Sequence, residues 1–354
     1  MKKQVKVGNI NIGGDAPVSI QSMCNTATED VESTVAQLRR LENAGCEIAR
    51  LTVPSQEAVE AFAVIKQQVD IPLVADIHFD YRLAIGAIDA GADKIRINPG
   101  NIGGEDKIRQ VAEKAGDAGI PIRVGVNSGS LERDIIEANG GVTAEGLAES
   151  AMRNVALLEK CGFEDIVVSL KSSDVKMNCR AYRLVDGMCD YPLHIGVTEA
   201  GTPEMGRIKS AAGLGALLLD GIGDTMRVSL TADPVEEVVF ARKLLEATGL
   251  RQSDFEIVSC PTCGRTQVDL EKLANEAERR LTALYREKQG LRRGLKVAVM
   301  GCAVNGPGEA AGADIGVACG RGEGLLFTGG RTVRKVPEED IVNELIRMAE
   351  EYSR

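Results

Sequence analysis

Two sets of residues in this chain have types and spacings that can do chemistry. Near the C-terminus stand Cys260-Pro-Thr-Cys263 and then Gly301-Cys302-Ala-Val-Asn305-Gly306-Pro307-Gly308-Glu309. A C-x-x-C turn with a third cysteine on a distant loop can hold three corners of an iron–sulfur cluster, which usually takes four thiolates. Glu309 and Cys319 are the nearest candidates for the fourth corner. A carboxylate there would be an exchangeable oxygen ligand, leaving one iron open to substrate. Zinc is the competing occupant of a C-x-x-C pair, but it usually draws a second close pair of cysteines or histidines. No C-x-x-C or H-x-x-x-H follows Cys263.

The second set is basic. Gln21 and Ser22, Arg50 and Thr52, Asp76 and His78, and Arg96 and Asn98 close the first four predicted strands. Arg123 and Asn127, Lys171, Thr198 and Glu199, and Arg227 and Ser229 close or follow the next four. Guanidinium forks match phosphate oxygens in pairs, so four arginines and a lysine at equivalent strand ends point to an anion site. Their number suits a diphosphate better than a monophosphate. The plainer reading, arginines paired with acidic neighbours on a rim, suits one arginine better than five cations. Asp76-Ile-His78 points two polar side chains to one side of a strand. Glu199 stands beside the basic set as an acid–base group for an oxygen leaving group or as an arginine's partner.

These positions need elements to carry them. After a hairpin-like start (Val5–Val7, Ile10–Ile12), eight apolar strand patterns are predicted: 18–23, 47–53, 72–77, 94–98, 122–127, 165–170, 193–198 and 225–230. Between them run helical patterns such as 31–44, 56–68, 108–118 and 144–161. Several end at a glycine suited to a helix C-terminus, as at Gly45, Gly91, Gly119 and Gly162. Eight strand–helix alternations over about 250 residues fit a (β/α)8 barrel, whose active site lies at the C-terminal strand ends. A doubly wound sheet fits less well, because no Gly-x-Gly-x-x-Gly opens the units. The barrel grammar ends with a helix over 234–248, and a domain boundary is placed at 254. Beyond it are predicted a helix over 269–289, strands at 296–300, 314–318 and 325–328, and a helix over 338–352. The domains are thus 1–254, a barrel, and 255–354, a smaller α+β domain.

The 354 residues are 44% hydrophobic and 27% charged, with a formal net charge of −10. That balance describes a soluble globular chain and argues against nucleic-acid binding, which needs a basic face. No signal-like segment opens the sequence and no apolar run approaches the roughly 18 residues of a membrane span. A cytoplasmic protein without a membrane partner is expected, with its nine cysteines reduced. Cys24, Cys46, Cys161, Cys179, Cys189 and Cys319 read by default as core or loop residues.

Over its whole length the chain resembles the 4-hydroxy-3-methylbut-2-enyl diphosphate synthase family of the methylerythritol phosphate route to isoprenoids. The motifs that carry the resemblance are Gln21-Ser-Met23, Arg50-Leu-Thr-Val-Pro54, Ala75-Asp-Ile-His-Phe79 and Ile95-Arg-Ile-Asn-Pro-Gly-Asn101. They continue with Arg123-Val-Gly-Val-Asn127, Ser169-Leu-Lys171, Val197-Thr-Glu-Ala-Gly201, Arg227-Val-Ser229, Cys260 to Arg265 and Cys302 to Glu309. The resemblance implies a TIM barrel followed by a domain like half of a sulfite or nitrite reductase. It implies a [4Fe–4S] cluster on Cys260, Cys263, Cys302 and Glu309, with Glu309 giving way to substrate oxygen. The implied substrate is 2-C-methyl-D-erythritol 2,4-cyclodiphosphate, which two electrons open with loss of water to an allylic diphosphate.

By position, Arg50, Arg96, Arg123, Lys171, Arg227 and Ser229 would hold the diphosphate, with Asn98, Asn127 and Thr198 nearby and Glu199 and His78 managing protons. The family also implies ferredoxin or flavodoxin as electron donor, and a homodimer in which the cluster domain of one subunit closes on the barrel of the other. The alternatives are a pterin-dependent barrel synthase with a structural zinc site, and a binding module whose metal only stabilises the small domain.

Overall fold

The computed structural model describes residues 2–288, 290–302 and 312–353. The chain divides into two compact units, Met1–Arg251 and Gln252–Arg354. In the first, strands β1 (Val5–Val7) and β2 (Ile10–Ile12) form an antiparallel hairpin. Eight strands follow: β3 (Ser19–Met23), β4 (Ile48–Thr52), β5 (Leu73–Asp76), β6 (Lys94–Ile97), β7 (Ile122–Asn127), β8 (Ile166–Lys171), β9 (His194–Gly196) and β10 (Thr225–Arg227). They are parallel and ordered β8-β7-β6-β5-β4-β3-β10-β9. A parallel bridge between Val168 and Leu193 joins the two ends of that order. The eight predicted strands are all present, each within a few residues of its expected limits, and the α/β barrel is the fold of this unit.

The connecting helices are α1 (Val31–Asn43), α2 (Gln56–Lys66), α3 (Tyr81–Asp89), α4 (Pro99–Ile102) and α5 (Glu105–Ala118). Then come α6 (Arg133–Ala138), α7 (Ala144–Glu159), α8 (Val175–Asp186), α9 (Pro203–Leu219) and α10 (Pro234–Ala247). Short polar side chains start many of them: Asp30, Ser55, Asp80, Thr143, Asp174 and Asp233 each accept a bond from a first-turn N–H, satisfying donors that a helix start leaves free. At the other end of α5, Gly119 takes φ 65°, the left-handed value that the expected glycine cap requires.

Strand alternation divides the side chains of each strand. The outward set (Ile20, Ala49, Leu51, Leu73, Ala75, Ile95, Val124, Val168, Leu170) packs under the helices in one continuous core. The inward set is apolar only at one end. There Val5, Val7 and Ile12 of the hairpin form a cluster with Ile48, Val74 and Val167, stoppering the N-terminal end of the barrel. Toward the other end the interior turns polar.

The second unit is a mixed five-stranded sheet ordered β11-β12-β13-β14-β15. Its strands are β11 (Phe255–Ser259), β12 (Leu295–Met300), β13 (Ile315–Gly320), β14 (Glu323–Thr328) and β15 (Arg331–Pro337). The first three are parallel and the last three antiparallel. Helices α11 (Leu270–Glu287) and α12 (Ile341–Tyr352) bury Leu270, Leu281, Leu284, Leu345 and Met348 against Val297, Val299, Val317 and Leu326 on the sheet. Two strands escape the sequence reading, β11 and β15. Both lie at sheet edges, and β15 is exposed at all but one of its residues, so neither carries a clean alternation of buried and exposed residues.

Candidate active site

The barrel mouth gathers most of the expected residues. A cavity of about 230 Å³ is lined by Arg50, His78, Arg96, Arg123, Asn127, Lys171, Thr198, Arg227 and Ser229, together with Met23, Asp76 and Ser169. Asn98 lies beside it, on a second cavity of about 170 Å³ that shares His78, Arg96 and Asn127. There its side chain caps α4 by accepting from the Gly100 N–H at 3.2 Å.

Two buried carboxylates hold part of this charge. Asp76 Oδ1 accepts from Arg96 Nη1 at 3.1 Å and Asp76 Oδ2 lies 3.6 Å from Arg50 Nε. Burial alone would raise the Asp76 carboxyl, but Arg50, Arg96 and Arg123 overcome it and hold it down at about 2. Asp76 is therefore an anion at any ordinary pH. Glu237, in the first turn of α10, takes Arg227 Nε and Nη2 at 3.1 and 3.2 Å, the Ser22 hydroxyl at 3.0 Å and the Leu230 N–H at 3.0 Å. Met23 fills the space between two of the cations, its Sδ lying 2.7 Å from Arg50 Nη2 and 3.5 Å from Arg227 Nη1. Sequence reading passed over Glu237 because it sits on a helix and not at a strand end. Its one signal was a glutamate placed where α10 should bury an apolar side chain.

What the carboxylates leave over is more informative. Arg123 is the second residue of β7, so it lies deep in the barrel and not at the strand end where it was expected. It is fully buried, and its Nε, Nη1 and Nη2 have no hydrogen-bond partner. Burial, then Arg50 and Arg96, push its guanidinium well below the ordinary arginine value. Lys171 is pushed down in the same way by burial, Arg50, Arg227, Arg123 and Arg96. Burial with the neighbouring charges brings Arg50 to about 10. Deeper still is Lys94, fully buried on β6, whose ammonium donates to Gln21 Oε1 at 3.4 Å. Burial, Arg123 and Arg50 lower it well below the usual lysine value. Buried cations without counter-charge are costly, and an anion of high charge in the cavity would remove that cost.

Of the two acid–base candidates, His78 lies on the cavity with Nε2 3.5 Å from Arg96 Nη1. Glu199 is exposed, and the carboxylates that pair with the arginines here are Asp76 and Glu237. Its backbone is nonetheless singular: φ is 49°, the only positive value at a non-glycine among the described residues. A left-handed non-glycine residue costs energy and is found most often where a site demands it.

The second candidate set lies at one end of the C-terminal sheet. Cys260 follows β11 and Cys302 follows β12, its parallel neighbour, so both leave the sheet at the same end. The Gly301 N–H points at Cys260 Sγ, 3.3 Å away. The Cys263 N–H donates to Thr266 Oγ1 at 3.1 Å. Bonds from the Arg265 backbone and side chain draw the exposed Cys263 thiol below its ordinary value, toward the thiolate that binds metal. Thiolate character and a backbone donor to sulfur both suit an iron–sulfur centre, so the donor set fits one.

Among the described residues no three histidine, cysteine, aspartate or glutamate side chains are grouped tightly enough to hold a metal ion. Glu309, with Asn305 to Gly308, lies outside those residues. Cys319 is buried in β13 within the apolar core, and burial, then Glu338 and Cys260, push its thiol up to about 12. Cys24 is buried in the barrel core and raised to about 12 by burial and Cys46. No helix among the described residues is long and apolar enough to cross a membrane.

Residues 2–242 match the GcpE TIM-barrel domain and residues 256–351 match the GcpE protein C-terminal domain. The chain is 57% identical over 345 residues to the 4-hydroxy-3-methylbut-2-en-1-yl diphosphate synthase (flavodoxin) of Ruminiclostridium cellulolyticum, covering 98% of this chain and 96% of that one. It is 55% identical over 350 residues to the protein of the same name from Caldanaerobacter subterraneus, covering 99% and 97%. Among solved structures, the dihydropteroate synthase of Yersinia pestis superposes with a TM-score of 0.53 at 14% identity, covering 70% of this chain and 99% of that one. That of Xanthomonas albilineans gives 0.51 at 16%, also over 70% and 99%. At such identities these two share the barrel fold and nothing further.

Proposed function

The chain belongs to the GcpE family, and from that premise we propose that it reduces 2-C-methyl-D-erythritol 2,4-cyclodiphosphate to 4-hydroxy-3-methylbut-2-enyl diphosphate. Two electrons enter, the C–O bond to the ring phosphate breaks, and a substrate oxygen leaves as water. The observation that carries this reading is the fully buried Arg123 guanidinium. It has no hydrogen-bond partner and lines a mouth where Arg50, Arg96, Lys171 and Arg227 also converge. A diphosphate is the ligand whose charge and oxygen count answer that excess.

In this reading Arg50, Arg96, Arg123, Lys171, Arg227 and Ser229 hold the diphosphate, with Asn98, Asn127 and Thr198 beside it. Asp76 and Glu237 orient the arginines without neutralising all of them, so the donors stand aimed before substrate arrives. Such preorganisation lets binding energy on the diphosphate fix the reacting carbon in place. His78 and Glu199 hold and deliver protons at the departing oxygens. Cys260, Cys263, Cys302 and Glu309 would hold a [4Fe–4S] cluster in the C-terminal domain. When bound, such a cluster supplies single-electron transfer and a Lewis-acidic iron. Flavodoxin, named with the relatives, is the proposed electron donor, with ferredoxin as a substitute. A homodimer in the cytoplasm, with the cluster domain of one subunit serving the barrel of the other, completes the proposal.

The test is an oxygen-free preparation assayed for iron, labile sulfide and consumption of the cyclodiphosphate with reduced flavodoxin. Iron with sulfide and reductant-dependent turnover is expected. Stoichiometric zinc without iron, or an iron-loaded protein that binds the cyclodiphosphate and leaves it unreduced, would sink the reading.

A further inference from the structure

The ring of cations depends on side chains that two strands omit. Alternation turns Arg123, Gly125 and Asn127 of β7 toward the barrel interior, as it does His194 and Gly196 of β9. The second inward position on each strand, Gly125 and Gly196, is a glycine. A Cβ on Gly125 would lie 2.5 Å from Arg96 Nε, 2.9 Å from Nη2 and 3.1 Å from Cζ. The guanidinium projecting from β6 thus lies across the bare backbone of β7. Gly196 receives Lys171 from β8 in the same manner but more loosely, with Cε and Nζ at 3.2 and 3.3 Å from the Cβ position and the Arg227 carbonyl at 3.2 Å.

The φ of Gly125 lies outside the left-handed region, so its backbone conformation is open to any residue. What asks for glycine is Arg96. That arginine lines both cavities at the mouth, along with His78 and Asn127, while Gly125 lines only the smaller one. The guanidinium therefore forms part of the wall between them. It is held there by Asp76 on one side and by the notch in β7 on the other.

We propose that Gly125 is a positioning residue of the anion site. Its missing side chain lets Arg96 keep its guanidinium against Asp76 and between the two cavities, within reach of a diphosphate. Adding a methyl group would move the flexible end of Arg96 while leaving backbone and core in place, so the fold survives and the site does not. The inference rests on the diphosphate reading of the mouth.

The experiment is a double-mutant cycle on the full chain, using inorganic pyrophosphate as the probe in calorimetric titration and thermal unfolding as a second readout. Gly125→Ala should weaken pyrophosphate binding by about tenfold or more, the scale of losing a charge-assisted contact. Gly196→Ala should weaken it less. Gly116→Ala, in α5 where a Cβ meets nothing within 4 Å, should bind as the parent does. In an Arg96→Met background, adding Gly125→Ala should change affinity by less than about twofold, because the partner of the notch is gone.

Unchanged binding by Gly125→Ala, or the same loss in both backgrounds, overturns the proposal. Should Gly125→Ala alone fail to fold, a folded Gly125→Ala/Arg96→Met protein supports the proposal and an unfolded one overturns it. A parent that ignores pyrophosphate removes the diphosphate reading. The unfolding cycle then still decides the notch, which requires Gly125→Ala to destabilise only when Arg96 is present.

Discussion

The two candidate sites are built in opposite ways. At the barrel mouth most functional side chains stand on strands or immediately after them, are buried or half-buried, and are held by neighbours such as Asp76, Glu237 and Met23. At the cysteine end of the second unit they stand on loops beyond β11 and β12. There Cys263 is exposed and hydrogen-bonded to Thr266 and Arg265, and Cys260 accepts from the Gly301 N–H. Strand-borne donors keep their aim without a ligand, so the barrel carries a permanent excess of positive charge and its cost in stability. Loop-borne thiolates gain their arrangement from what they bind, since metal affinity and local folding are linked. One site stores binding energy in advance, while the other would draw it from a bound metal.

The sharpest way to break this contrast is to remove one site and watch the other. Cys302→Ser should lose nearly all bound iron and labile sulfide while pyrophosphate affinity at the barrel stays within about twofold of the parent, as expected for sites that share no partners. Retained iron would point to Cys319 as the ligand in place of Cys302. A fall in pyrophosphate affinity would show that the barrel site is not complete by itself.

Next in size is Arg123→Met. Replacing a buried, unpartnered cation by an apolar side chain of similar length should stabilise the barrel, by roughly 1–4 kcal/mol if buried charge is as costly here as elsewhere. It should also abolish measurable pyrophosphate binding. Urea unfolding and titration on one preparation read both, and a less stable variant would mean that Arg123 has a permanent partner.

The smallest expected effect is a pH dependence. Lys94 and Lys171 are lowered in the folded chain relative to the ordinary lysine value of 10.5. Between the lowered values and 10.5 the unfolded chain binds more protons, so stability rises with pH across that window and is lost as pH falls through it. Lys94→Met should flatten the slope of the urea midpoint against pH. An unchanged slope would show that Lys94 does not titrate differently on folding.

Much of this was legible in the sequence because strands repeat every two residues and barrels place function at strand ends. Arg50, Arg96, Lys171 and Arg227 were found that way, and the geometry brings them to one cavity. The depth of Arg123 was not legible, because a strand's start shifts by a residue or two and only the register with β6 and β8 sets the height. Glu237 was hidden by sitting on a helix, and Gly125 by having no side chain to attract notice. The edge strands β11 and β15 were hidden by lacking a buried face that alternates. Glu199 was read from its chemistry, but its left-handed backbone is visible only in three dimensions.

The hairpin stopper at the N-terminal end has an electrical consequence. A chain of net charge −10 would repel a polyanion at long range, yet Val5, Val7, Ile12, Ile48, Val74 and Val167 seal one end of the barrel with apolar material. A low-dielectric floor focuses the field of the cations out through the opposite opening, making the barrel a one-ended electrostatic funnel. Salt screens such steering over about 8–10 Å. Diphosphate capture should therefore slow as ionic strength rises, and a polar residue at Val7 that wets the floor should weaken capture from the far side of the molecule.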